Sequence, residues 1–143
     1  MPALALVLAL FAFAPPPPAT LEDLSKEPSL ERRSDLALGL AERRLAEART
    51  FSTEGDAAKT FAALEDVAAA SEFSLKSLRD TGKKASKLSR FFKRGELKTR
   101  DFLRRLESLI SALPFDDRPA GRKFHDRVQA VHEDFLHGIM SGK

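Results

Sequence analysis

From Leu30 onward, apolar and small residues recur alternately three and four positions apart, the spacing that draws one stripe along one face of a helix. No segment alternates with period two, so no strand is expected. Four segments obey the helical rule. The first, about Leu30 to Ser52, aligns Ser34, Leu38, Ala41, Leu45, Ala48 and Ser52; Leu40 and Phe51 widen the stripe, and Ser29 is placed to cap it. The second, about Asp56 to Thr81, aligns Ala57, Phe61, Leu64, Ala68, Ser71, Leu75 and Leu78. The third, about Lys87 to Leu113, carries Leu88, Phe92, Gly95, Thr99, Phe102, Leu106, Leu109 and Leu113. The fourth opens at Arg118-Pro119 and carries Phe124, Val128, Val131, Phe135 and Ile139, with fraying expected from Gly138 on. Gly55, Gly82 and Pro114 punctuate the boundaries.

Similar lengths and short loops predict an all-α fold over residues 29–143, an antiparallel four-helix bundle made of two helix hairpins. The competing arrangement stacks the two hairpins as in a helical-repeat solenoid. Ala48, Phe51, the Gly55-Asp56 turn and Leu64 fall at the spacings of one such repeat over about 35 residues, and there the first hairpin weakly resembles a tetratricopeptide unit. Glu72 and Thr60 depart from that pattern, both helices exceed its length, and membership is not claimed. The resemblance implies, as an alternative function, a protein–protein scaffold. Alanine-rich stripes also suit a homodimer seam.

Ahead of the helices, Ala3 to Ala14 form an unbroken apolar run. As a helix it is about 18 Å long, too short for a bilayer of roughly 30 Å, and Pro15 to Pro18 stop it. Residues 1–14 therefore read as a signal peptide or short hydrophobic leader, and the chain as exported, periplasmic or secreted. Met1 to Leu4 carry no Lys or Arg, and Pro15 follows the Ala12-Phe13-Ala14 cleavage pattern, so the alternative is membrane anchoring by an uncleaved N-terminal segment. Residues 15–28, rich in proline and mixed charge, read as an extended linker.

At 143 residues, 43% hydrophobic and 31% charged, the chain has the composition of one folded domain. With no cysteine it has no disulfide frame, thiolate metal site or thiol nucleophile. It contains no HExxH, Walker loop or GxSxG. His125, His132 and His137 share one helix, but His125 and His132 stand about 10.5 Å apart along its axis, too far for direct bonds to one metal. Asp116-Asp117 precedes a helix, where capping explains it. No catalytic residue, metal site or cofactor is expected, and the protein reads as a non-enzyme.

Charge changes this picture more than composition does. The net charge of +3 divides unevenly: Leu21 to Gly82 holds 9 basic and 13 acidic residues, Lys83 to Arg105 holds 10 and 2, and Leu106 to Lys143 holds 5 and 6. At 100° per residue, Arg90, Lys93, Arg94, Lys98, Arg100, Arg104 and Arg105 cover the outer arc of the third helix, opposite its apolar stripe. Leu97 stands among them, about 180° from the stripe. This face is expected to be either a solvated surface or a site for an anionic partner whose binding weakens as salt rises. For an exported chain that partner is an envelope polymer, lipid headgroups or an acidic protein, rather than a nucleic acid. Phe91 and Phe92 are assigned to packing rather than to base stacking.

Overall fold

The computed structural model describes residues 16–141, and all regular structure among them is helical. Five α-helices run in the order α1 (Leu21–Ser25), α2 (Leu30–Thr53), α3 (Ala57–Arg79), α4 (Ser89–Ala112) and α5 (Arg118–Ser141), with single 3-10 turns at Ala85–Leu88 and Phe115–Asp117. None of the described helices is long and apolar enough to cross a membrane. The Ala3–Ala14 run lies outside the described residues.

The expected boundary signals act locally. Ser29 Oγ accepts from the Arg32 amide at 3.2 Å and the Asp56 carboxylate accepts from the Lys59 amide at 3.0 Å, each satisfying one of the orphan donors at a helix start. Gly55 (φ 77°) and Gly82 (φ 70°) take the left-handed conformation that ends α2 and α3 cheaply only for glycine. Where fraying is expected from Gly138 on, α5 continues to Ser141, and residues 142–143 lie outside the described residues. Gly138 lies so close to the Phe92 ring that a Cβ there would stand 2.4 Å from it, so the glycine serves packing.

Two hairpins result. In the first, Ser34 near the start of α2 shares a 2.8 Å buried hydroxyl–hydroxyl bond with Ser74 near the end of α3, so these helices run antiparallel. In the second, Phe92 meets Phe135 edge to face at 5.7 Å and Thr99 meets His132, which makes α4 and α5 antiparallel too. The hairpins face each other differently. Asp35 and Glu42 of α2 meet Arg94 and Lys98 of α4, while Phe61, Glu65 and Arg79 of α3 meet Phe124, Arg127 and Asp134 of α5. Both pairings advance together along the sequence, so α2 lies parallel to α4 and α3 parallel to α5. Antiparallel neighbours thus exist within each hairpin, and the faces between hairpins are parallel. The connection from Asp80 to Leu88 permits this by carrying the chain back across the end of the first hairpin.

The larger buried cluster joins Leu38, Leu45, Leu64 and Val67 of the first hairpin to Phe102, Leu106 and Val128 of the second. A smaller one, at the end where α4 starts and α5 finishes, contains Leu75, Leu78, Leu88, Phe92, Val131 and Phe135. Ala37, Ala41, Ala48, Ala63 and Ala68 are buried within the single chain, where their small size lets α2 and α3 approach closely. Part of the segment read as a linker also joins this core. Thr20 caps α1, Leu24 is 0% exposed, and Arg43 and Arg44 donate to the carbonyls of Pro18 and Ala19. A single apolar side chain with the right offset is enough to dock such an arm, and proline content does not reveal it.

Candidate cationic surface on α4

Every basic residue singled out in the sequence lies on α4, and Leu97 is 58% exposed among them. The parallel seam divides these cations into two groups. Arg94 binds Asp35, Lys98 binds Glu42 at 3.0 Å, and Arg105 reaches Glu42 at 3.9 Å and Asp101 at 3.5 Å. Arg100 donates to Glu96, a carboxylate buried one turn earlier on α4, and Arg104 binds Asp101 at 2.6 Å. The hydrogen bond from Arg104 holds the Asp101 carboxyl below its ordinary pKa, an effect that the charges of Arg104 and Arg105 reinforce. Five of the expected contact residues are therefore engaged with carboxylates of the same chain.

Arg90 and Lys93 are not. Both are exposed and neither forms an ion pair among the described residues. The exposed Arg90 guanidinium lies 5.0 Å over the Phe91 ring, a cation–π contact at the surface. With Leu97 they line an open depression of about 490 Å³ on the outer side of α4. Lys84 and Lys87, on the connection just before α4, are exposed and likewise form no ion pair among the described residues. Neighbouring acids do not reach these four cations: Glu31 binds Lys83 at 2.9 Å, Asp35 binds Arg94, and Asp134 binds Arg79 at 3.2 Å. The first turn of α4 holds no acidic residue.

Lys84 and Lys87 are not among the expected surface residues: Lys84 precedes the expected helix, and Lys87, its expected first residue, lies instead in the 3-10 turn Ala85–Leu88 before α4. The signal that would have included them is the run Lys83-Lys84-Ala85-Ser86-Lys87 itself. Phe92 is 7% exposed and packs against Phe135, while Phe91 is half-buried against the cluster that contains Leu88 and Phe92, with the Arg90 guanidinium over its ring. Neither offers a ring face to a base.

The histidines are held separately. His125 Nε2 lies 3.4 Å from Glu107, His132 Nδ1 lies 3.0 Å from the Thr99 hydroxyl, and His137 is exposed. Among the described residues, no three His, Asp or Glu side chains are grouped to hold a metal ion. No protein-family model, curated protein or solved structure matches the chain.

Proposed function

We propose that the protein is a non-enzymatic binding module of the cell envelope, a bundle of two helix hairpins that presents the start of α4 to an anionic surface or an acidic protein partner. The observation that carries this reading is the group Lys84, Lys87, Arg90 and Lys93, exposed and without ion pairs among the described residues beside the exposed Leu97. Unpaired, solvated cations raise the local concentration of an anionic partner without the cost of breaking internal pairs. Export to the envelope rests on the apolar run Ala3 to Ala14. The test is elution from a sulfated polyanion matrix. Replacing Lys84, Lys87, Arg90 and Lys93 together by Gln moves elution to markedly lower salt with helicity retained; unchanged elution would contradict the reading.

A helical-hairpin scaffold is the second reading, favoured by the parallel stacking of one hairpin on the other. It demands partner binding that persists at high salt and fails in Leu97→Glu, a change on the solvent side of α4.

A further inference from the structure

Four large apolar side chains stand exposed: Leu97 at 58%, Phe115 at 79%, Leu136 at 41% and Met140 at 69%. Three of them stand on α4 or on the end of α5 that packs beside the start of α4. Leu97 shares the depression of Arg90 and Lys93. Leu136 and Met140 stand on the last turns of α5, where a Cβ at Gly138 would meet Phe92 of α4 and where Ile139 packs on the cluster that holds Leu88 and Phe92. That end therefore carries four unpaired cations at the start of α4 and three protruding apolar side chains, while Phe115 marks the opposite end beside the α2–α3 turn.

Resting on the anionic-partner reading, we infer that this end of the molecule docks on the surface of an anionic lipid bilayer. A soluble polyanion has use for the cations but gives Leu97, Leu136 and Met140 no apolar medium. A bilayer interface satisfies both. Its acidic headgroups complement Lys84, Lys87, Arg90 and Lys93, and its acyl boundary receives short apolar protrusions. The apolar stripe of α4 stays in the core, so docking needs no unfolding; only side chains already in water are transferred.

The absence of tryptophan and tyrosine makes a local test available, since one introduced tryptophan is then the only indole in the chain. Full-length Leu97→Trp, Met140→Trp and Phe115→Trp are mixed with vesicles of phosphatidylglycerol and phosphatidylcholine, and with phosphatidylcholine alone. The inference predicts emission shifted to shorter wavelength for Leu97→Trp and Met140→Trp on anionic vesicles only, with Phe115→Trp unchanged. Removing the four cations lowers partitioning on the order of 100-fold or more, because each basic residue near such a surface contributes additively. An equal shift of Phe115→Trp, or binding indifferent to the four cations, would overturn it by locating attachment elsewhere, as in the N-terminal run. No shift at either site, with retention on the sulfated matrix preserved, overturns the bilayer inference and leaves anion binding standing. Loss of both removes the functional reading as well.

Discussion

A Cβ added at Gly95 would stand 2.4 Å from the ring of Phe135, which is itself 0% exposed and has no room to retreat. In an open helix, replacing glycine by alanine gains up to about 1 kcal/mol of propensity. Here the overpacking term outweighs it, so Gly95→Ala is expected to destabilise the fold by about 1–3 kcal/mol. Urea denaturation measures this, and a midpoint equal to or above that of the natural chain would contradict it. Carboxylates set a second expectation. Asp23, through the Ala19 amide, Glu31, through Lys83, and Asp101, through Arg104, have their pKa values lowered by hydrogen bonds to their charged forms. The folded chain then binds fewer protons at these groups than the unfolded one. Their contribution is complete above the unfolded carboxylate values and is lost as pH falls through the lowered ones. The urea midpoint should hold steady between pH 7 and 5 and decline below about pH 4. A midpoint that rises in acid would count against these pairs.

At the level of elements, α1 is the part of the fold that the sequence concealed. Its five residues look like linker, yet Leu24 is fully buried against the α2–α3 hairpin. Leu24→Ala should cost about 2–5 kcal/mol, as for any leucine removed from a core. A change below 0.5 kcal/mol, the range of surface substitutions, would show the arm to be loosely attached. The long helices were far more legible. Stripe residues such as Leu38, Leu64, Phe102 and Val128 are buried as their spacing implies, and Ser29 and Asp56 cap the helices they precede. These features depend on residues near in sequence. What faces α4 does not: Arg94, Lys98 and Arg105 lie on the flank of that helix, and only the placement of α2 beside it reveals Asp35 and Glu42 as their partners. The helical wheel located the cationic arc and the exposure of Leu97, but had no means of telling paired charges from unpaired ones.

For the whole molecule, the parallel stacking of the hairpins is the arrangement from which the charge pattern follows. It lays Asp35 and Glu42 of α2 along the middle of α4, where the basic face is partly neutralised, and leaves the net charge of the basic block concentrated where the chain enters α4. Exposed ion pairs of this kind contribute only about 0–1 kcal/mol each to stability. Their larger consequence is for recognition, because a cation already matched by a carboxylate offers less to an external anion. The most direct measurement is a salt gradient on a sulfated matrix run with three proteins: the natural chain, the variant with Gln at 84, 87, 90 and 93, and Asp35→Asn/Glu42→Gln. The account predicts that the four-site variant elutes first, the natural chain next, and the α2 variant last because it releases Arg94 and Lys98 and leaves Arg105 with Asp101 alone. Coincident elution of all three, or an α2 variant that elutes before the natural chain, would contradict it.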